Sequence, residues 1–285
     1  MASSLAAAAS TRLLSTSPLA VKAADAFVNS WVSGVRITPD AYPQAPETVQ
    51  AMYETHLAIQ QHPLVADKLG GLAGYKLGAI GGAGEPCLYA PLFGNYLVDA
   101  PGDGLSAAAI NLWQIEPEIA LVMGDDLPAR ADGEPHSVEA VWACVSKVAL
   151  CIECCGKRGL PEAYAATSKL GSYQDTLSSG GVVLGPRLDL LTVSDVRSCA
   201  TKLYVNDDLL AEGKGASAPE GGPAEALTWL ANHLNGRGLS LGRGELVATG
   251  QTCNTQACKA GDRVKATFEG LGGKEEMAVE MIIQP

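Results

Sequence analysis

The sequence lacks an apolar run of the roughly 20 residues that a membrane-spanning helix needs. It is also short of basic residues, with 20 Lys and Arg against 31 Asp and Glu, so its formal net charge is −11. An acidic surface repels nucleic acid and anionic membranes. We therefore expect no nucleic acid and no membrane among its partners, and we expect a small molecule as its ligand.

The sequence also lacks the pattern of a disulfide or zinc framework. Its eight cysteines are scattered, and several lie in apolar segments, which is typical of buried thiols in a reducing compartment. Cys151 and Cys154 form one Cys-x-x-Cys pair, but no second pair follows at the spacing of a zinc site. Because strand alternation sends these two side chains to opposite faces, we do not expect a redox or zinc motif here.

Acidic residues stand out in two apolar segments. In the segment 115–122, Glu116 and Glu118 project from one face of the predicted strand, because side chains alternate along a strand. Glu153 lies opposite the bulky side chains of the otherwise uncharged segment 148–155. Neighbouring like charges need water or a cation between them, and three oxygen donors suit Mg²⁺ or Mn²⁺. The pattern predicts a metal site; the alternative is a half-solvated strand face that carries acids.

Lys76 lies in a short apolar strand that is bounded by glycines, within residues 70–78. A cation in so apolar a setting pairs with an anion or loses its proton. The sequence therefore predicts an anionic partner for Lys76. The alternative is a lysine on an edge strand that reaches solvent.

Composition divides the chain into three regions. Residues 1–24 are rich in Ala, Ser and Thr and contain no acid, which is typical of a transit peptide to a mitochondrion or chloroplast. A disordered N-terminus of a cytoplasmic protein is the alternative. Residues 25–70 contain two helical patterns, the second capped by Thr48, and form a predicted helical cap. Residues 71–285 contain most of the predicted strands and form the predicted metal-binding catalytic domain.

Several motifs, in chain order, resemble the fumarylacetoacetate hydrolase superfamily, and within it the branch of 2-keto-4-pentenoate hydratases and 4-oxalocrotonate decarboxylases. The resemblance extends from about residue 25 to the C-terminus, and the Glu-x-Glu pair with its later glutamate is the most specific part. It implies an α+β fold, namely a mixed β-roll with a small helical N-terminal cap, and a homo-oligomer. The other motifs are the segment around Lys76, Arg158, the segment 175–185 and the helix that begins at Pro223.

The same resemblance implies an enzyme that acts on a small 2-oxo acid. The implied reaction is hydration of a 2-oxo-4-enoate through a metal-stabilised dienolate, in which Lys76 anchors the substrate carboxylate or donates a proton. Alternatives are decarboxylation of an oxalocrotonate-type or oxaloacetate-type acid, C–C hydrolysis of an acylpyruvate-type or fumarylacetoacetate-type acid, and binding without turnover. The implied site comprises Lys76 and Arg158 for catalysis, Ser178, Ser179 and Cys253 for substrate binding, and Glu116, Glu118 and Glu153 for Mg²⁺ or Mn²⁺.

Three positions depart from the pattern of this branch. Leu92 stands where hydratases usually place an Asp, and leucine cannot transfer a proton. Cys253 stands where relatives have a threonine that contacts substrate. Gly156 and Lys157 replace the Asp-Ser that precedes the arginine in relatives. We therefore expect an intact metal site and an altered proton-transfer site. The hydrolase alternative needs a His-Glu pair in relatives. None of the four histidines here lies in a recognisable base motif, and His56 and His62 in the N-terminal cap are the remaining candidates.

Overall fold

The computed structural model describes residues 16–79, 86–100, 105–189 and 191–285. Within these ranges, three N-terminal helices pack beside two β-sheets. None of the helices in the described part is both long and apolar enough to span a bilayer. The helices are α1 (Pro18–Ser33), α2 (Val49–Gln61), α3 (Pro63–Lys68), α4 (Ala107–Ile110), α5 (Val138–Trp142), α6 (Pro161–Ala166), α7 (Lys169–Tyr173), α8 (Val193–Ser198) and α9 (Pro223–Asn235).

Two sheets, one large and one small, form the β-structure. The strands are β1 (Leu72–Ala79), β2 (Cys87–Phe93), β3 (Leu97–Asp99), β4 (Leu112–Met123), β5 (Val145–Gly156), β6 (Ser179–Asp189), β7 (Ala200–Val205), β8 (Asp208–Lys214), β9 (Leu246–Gln251), β10 (Gln256–Ala257), β11 (Arg263–Glu269) and β12 (Glu276–Ile282).

The large sheet is mixed. Its strand order is β2-β1-β9-β4-β5-β6-β3, and β10 pairs with β4. The β1–β9 and β3–β6 pairs are parallel, whereas the central β4–β5 pair is antiparallel. The second sheet is antiparallel, with the order β12-β11-β7-β8. The two predicted acidic strands therefore lie side by side in the middle of the large sheet.

The main core contains side chains from both sheets and from α9. Leu227, Leu230 and Leu234 of α9 are buried, as the helical spacing predicts. The N-terminal helices have their own apolar cluster, in which Phe27 and Trp31 of α1 pack with Ile59 of α2. Thr48 caps α2 by accepting a hydrogen bond from the backbone of Ala51, which confirms the predicted cap.

Helix α1 crosses the boundary predicted at residue 24 between the N-terminal leader and the helical cap. Helix α1 begins at Pro18, and the Ser17 hydroxyl caps it. Ala20, Ala23 and Ala24 are buried within this helix. Alanine adds little to a hydrophobic pattern, although its methyl group allows close helix packing. The pattern therefore did not reveal the first turns of α1. The Ser-Pro pair at positions 17 and 18 is a helix-start signal that could have done so. Residues 1–15 lie outside the described residues.

Candidate metal centre

The three glutamates predicted as metal ligands lie on the central antiparallel strands. Glu116 on β4 is the cross-strand partner of Glu153 on β5, and Glu118 lies two residues further along β4. The alternation of side chains places all three on one face of the sheet. Glu118 and Glu153 are fully buried, and Glu116 is half-buried. The structure therefore brings the predicted carboxylates together.

The tightest group of possible ligands differs from the predicted one by one residue. Single ligand atoms of Glu116, Glu153 and Cys155 lie within 4.8 Å of one another. Glu118 is not in this group, and its Oε2 accepts a hydrogen bond of 2.9 Å from the backbone N–H of Gly250. Sequence reasoning missed Cys155, although its position two residues after Glu153 was a signal that both share a face.

The carboxylates have the properties of a cation site. Among the described residues, Glu118 Oε1 and Glu153 Oε2 are buried without a hydrogen-bond partner. Burial raises the pKa of Glu116 to about 7, and burial together with the charges of Glu153 and Glu116 raises the pKa of Glu118 well above its ordinary value. Unpartnered buried carboxylate oxygens are costly, and a divalent cation would compensate them. The residues present therefore fit Mg²⁺ or Mn²⁺.

Lys76 lies beside this group. Its Nζ is 2.7 Å from Glu153 Oε1 and donates a hydrogen bond of 3.2 Å to the carbonyl oxygen of Leu177. Burial lowers the pKa of Lys76, but the nearby acidic groups, Glu153 first, raise it above its ordinary value overall. Strand β1 lies between β2 and β9, and Lys76 is 4% exposed, so it is not an edge lysine. Its predicted anionic partner is the carboxylate of Glu153.

A cavity of about 500 Å³ lies next to these residues. Lys76, Glu116 and Cys155 contribute to its lining from three different strands. Two short 3₁₀ turns, at Gly215–Ser217 and Pro219–Gly221, contribute another part of the lining. The cavity is therefore large enough for a small organic acid, and it reaches the candidate metal centre.

The segment before β6 has an unusual backbone. Thr176, Leu177 and Ser178 all have positive φ angles, of 46°, 51° and 60°. Non-glycine residues in this region are strained, so surrounding contacts must hold them there. Leu177 and Ser178 line the cavity. The left-handed turn is therefore part of the wall of the site.

Of the residues predicted to bind substrate, the structure brings Ser178 to the cavity and not the other two. Ser179 is 1% exposed, and its carbonyl oxygen accepts a hydrogen bond from Arg158. Cys253 is buried in the main apolar core. Neither residue is part of the cavity lining. Contacts from these two side chains to a substrate are therefore not supported by their positions.

Arg158, predicted to be catalytic, is also absent from the described cavity lining. It is 1% exposed, and its Nε donates a hydrogen bond of 2.6 Å to Asp175 Oδ1. Its Nη2 donates to the carbonyl oxygens of Gly156 and Asp175, at 3.0 and 3.1 Å, and to the hydroxyl of Thr176 at 3.2 Å. Arg158 therefore fixes the start of the left-handed turn, and its catalytic role stays a prediction.

The structure also shows where Leu92 lies, the residue that stands in place of the Asp of hydratases. It is 2% exposed and packs in a small apolar cluster with Ala120 and Cys151. It does not line the cavity. A group that transfers protons in the cavity must therefore come from elsewhere in the chain.

Comparisons with known proteins agree with this architecture. Residues 95–277 match the family described as fumarylacetoacetate (FAA) hydrolase C-terminal. The chain is 30% identical over 185 residues to 2-keto-4-pentenoate hydratase 1 of Dechloromonas aromatica (strain RCB), a match that covers 64% of this chain and 67% of that relative. It is 27% identical over 257 residues to the TodF product hydratase of Pseudomonas putida (strain F1), covering 88% of this chain and 92% of the relative.

A solved structure shares the fold over nearly the whole chain. It is the 4-oxalocrotonate decarboxylase from Pseudomonas putida G7, complexed with magnesium and adipate. The TM-score is 0.76 at 21% identity, over 93% of this chain and 97% of the other.

Proposed function

The chain belongs to the fumarylacetoacetate hydrolase C-terminal family, and on that premise we propose that it is a divalent-metal-dependent lyase that hydrates a 2-oxo-4-enoate. The observation that carries this proposal is that Glu116 and Lys76 line one cavity while the buried Glu153 lies beside both of them. Carboxylates that hold a cation, next to an ammonium group, are what the binding of a 2-oxo acid requires.

The carboxylates of Glu116 and Glu153, with Glu118 beside them, would hold Mg²⁺ or Mn²⁺. When bound, such an ion supplies Lewis acidity that polarises the 2-keto group and stabilises negative charge on its oxygen. A related enzyme of the same fold is known in complex with magnesium, which supports this choice of ion.

Lys76 binds and orients the substrate. An ammonium group has three N–H donors, and the described contacts of Lys76, to Glu153 and to the carbonyl of Leu177, take two of them. The third can bond a carboxylate or keto oxygen of the substrate. Because neighbouring acids hold its pKa above the ordinary value, Lys76 keeps its proton and acts as a hydrogen-bond donor to the substrate.

The charge of the cavity supports a substrate with a single carboxylate. Lys76 is the one Lys or Arg in the described lining, and the exposed Glu220 adds negative charge. Lys157 is not part of the lining, and its ammonium lies over the Trp113 ring, 3.7 Å from the centroid. Residues 80–85 and 101–104, which lie outside the described ranges, contain no Lys, Arg or His in the sequence.

This distribution favours hydration over decarboxylation. The second carboxylate of an oxalocrotonate-type acid would be buried without a cationic partner, which costs several kcal/mol (about 1–3 even for a neutral polar group). The alkenyl tail of a 2-oxo-4-enoate is apolar and fits against the side chains of Leu88, Leu177 and Ala218, which line the cavity. The hydrolase alternative lacks a histidine in the described lining.

The test is an assay of the purified chain with Mg²⁺ against 2-oxo-4-enoates, oxalocrotonate, oxaloacetate and acylpyruvates. We expect turnover of the 2-oxo-4-enoates, and loss of turnover with EDTA and in Glu153→Gln. Glu134→Gln, which changes an exposed acid, serves as the matched control and should keep the activity. Preferred turnover of a dicarboxylate would replace the hydratase with a decarboxylase, and binding of Mn²⁺ without turnover of any acid would leave a non-catalytic binder.

We also propose that the chain forms a homo-oligomer and that its N-terminal residues carry an organelle signal. The exposed Leu209 and Leu210 on the edge strand β8 support a contact between subunits. Light scattering after size-exclusion chromatography tests the first proposal. Microscopy of a fluorescent fusion with and without residues 1–15 tests the second.

A further inference from the structure

Cys155 is a thiol at the candidate metal centre that the proposed reaction does not use. A single ligand atom from each of Glu116, Glu153 and Cys155 lies within 4.8 Å of the other two. Cys155 is only 3% exposed, yet it lines the cavity. A solute in the cavity can therefore contact this sulfur and the carboxylate of Glu116 at once.

A second observation indicates that this group is suited to a cation. Glu153 is fully buried, and its Oε2 has no hydrogen-bond partner among the described residues. Strand alternation places Glu153 and Cys155 on the same face of β5, and Glu116 is the cross-strand partner of Glu153. The donors are two carboxylates and one sulfur. Mg²⁺ binds oxygen ligands, whereas a thiolate selects softer ions such as Zn²⁺.

We propose that Glu116, Glu153 and Cys155 form a mixed oxygen–sulfur site that binds Zn²⁺-like cations in competition with Mg²⁺. The inference rests on the proposed metal-dependent function, because both ions use the same two carboxylates. When the softer ion binds, the S–H bond of Cys155 breaks, its proton goes to solvent, and the sulfur lone pair bonds the cation. With Mg²⁺ the thiol keeps its proton and stays outside the coordination shell.

The consequence is that the centre responds to the ratio of two ions. Zn²⁺ gains a sulfur ligand that Mg²⁺ cannot use, so a low concentration of Zn²⁺ displaces a much higher concentration of Mg²⁺. A cavity that holds Zn²⁺ differs from one that holds Mg²⁺ in its charge distribution and in the space left for the substrate. Cys155 thereby makes the enzyme sensitive to zinc through its own active site.

The neighbouring cysteines allow a matched control. Cys154 is buried on the same strand, one residue away, and alternation points its side chain to the opposite face. Cys151 shares the face of Cys155, but its Sγ donates to the backbone carbonyl oxygen of Glu118 at 3.5 Å. Cys154→Ala therefore removes a buried thiol from β5 and leaves the candidate site unchanged.

The test is a titration of the full chain with Cd²⁺, followed by the ultraviolet charge-transfer absorption of a thiolate bound to cadmium. Competition with Mn²⁺, measured by the paramagnetic resonance of free Mn²⁺, is followed in parallel. In the unsubstituted chain we expect the band to saturate while Mn²⁺ is released. In Cys155→Ser we expect the band to vanish and the Cd²⁺ affinity to fall by at least about tenfold, with little change for Mn²⁺.

The outcomes separate this inference from the proposed function. Binding of Mn²⁺ together with no Cd²⁺ band in the unsubstituted chain would overturn the role of Cys155 and leave the metal-dependent lyase intact. A band that persists in Cys155→Ser, or that is lost in Cys154→Ala, would assign the sulfur to another cysteine and also overturn it. If neither ion binds the unsubstituted chain, both proposals fail. Because the titration of the unsubstituted chain needs no variant, poor folding of Cys155→Ser leaves the test valid, and Cys155→Ala then replaces it.

Discussion

Lys76 Nζ lies 2.7 Å from Glu153 Oε1, although their strands are not neighbours in the sheet. Strand β1 is three positions from β5, in the order β1-β9-β4-β5. In a flat sheet, three steps correspond to about 14 Å, and side chains that stand roughly perpendicular to the sheet cannot close that distance. The ion pair therefore requires the large sheet to curl, and it joins the two sides of that curl at the candidate metal centre.

Loss of the ammonium should destabilise the protein most when no divalent cation is present. Lys76→Met leaves the buried carboxylate of Glu153 without its cation, which we expect to cost about 3 to 5 kcal/mol of unfolding free energy. Mn²⁺ should restore part of this loss, because an ion that binds the folded state stabilises it. Urea unfolding in EDTA and in Mn²⁺ measures both effects. Lys147→Met, which removes an exposed pair with Asp189, is the control and should leave the unfolding free energy nearly unchanged. Equal stability of Lys76→Met and the unsubstituted chain in EDTA would contradict the role of this ion pair.

Stability should fall in mild acid because of His56. Its Nε2 donates to the carbonyl oxygen of Tyr173 at 3.0 Å, and burial lowers its pKa from 6.5 to about 4. Between these two values the unfolded chain binds a proton that the folded chain does not. The contribution of neutral His56 is therefore complete above pH 6.5 and is lost as the pH falls toward 4, by about 3 kcal/mol.

His56→Gln isolates this contribution, because glutamine can donate the same hydrogen bond and does not titrate. We expect the loss of unfolding free energy between pH 7 and pH 4.5 to be smaller in His56→Gln than in the unsubstituted chain. Denaturant unfolding at both pH values gives the difference. His136→Gln, at a half-buried histidine, is the control. A pH dependence that is identical in all three proteins would show that folding does not change the pKa of His56 and would contradict this prediction.

Arg158→Lys should affect folding more than the chemistry of the reaction. Lysine cannot reproduce the hydrogen bonds from Nε to Asp175 and from Nη2 to Gly156 and Thr176. We expect a loss of about 3 kcal/mol in unfolding free energy. Arg187→Lys, at an exposed pair with Asp99, should cost less than about 1 kcal/mol. A variant that keeps full stability but loses turnover would support the catalytic role predicted from the motif.

Two truncated chains test the predicted boundary at residue 24. A chain that begins at Asp25 loses the Ser17 cap and the buried methyl groups of Ala20, Ala23 and Ala24, which together contribute about 3 kcal/mol. A chain that begins at Thr16 keeps them. Thermal and urea unfolding should place the longer chain above the shorter one by this amount. Equal stability of the two chains would show that residues 18–24 belong to the predicted leader.

The parts of the structure that were predicted from sequence are those that local chemistry determines. The period of two along β4 and β5 was enough to place Glu116, Glu118 and Glu153 on one face. The Thr48 cap and the apolar stripe of α9 followed from helix geometry. The family and the mixed-sheet fold predicted from the motif order are confirmed by the family match and by the solved structure.

The parts that were not predicted depend on contacts between distant segments. The sequence did not identify the partner of Lys76, because 77 positions separate it from Glu153 and only the curl of the sheet brings the two together. Arg158 was assigned to catalysis from its motif, whereas its burial against Asp175 follows from the path of the loop. The turn at Pro219–Gly221 carries no local signal for a cavity wall. In all three cases, the arrangement depends on contacts between segments that are distant in the sequence.

The uninterrupted ladder between β4 and β5 makes the centre sensitive to changes in chain length. The two strands pair without a register shift from Gln114 to Val122, and irregularities occur beyond both ends. An insertion or deletion of one residue within that stretch would turn one or both glutamates of β4 to the opposite face. A change in length outside it can be absorbed by a bulge. During evolution, gaps should therefore accumulate in the connection from 124 to 144 and be absent between Gln114 and Val122, where one of them removes the centre in a single step.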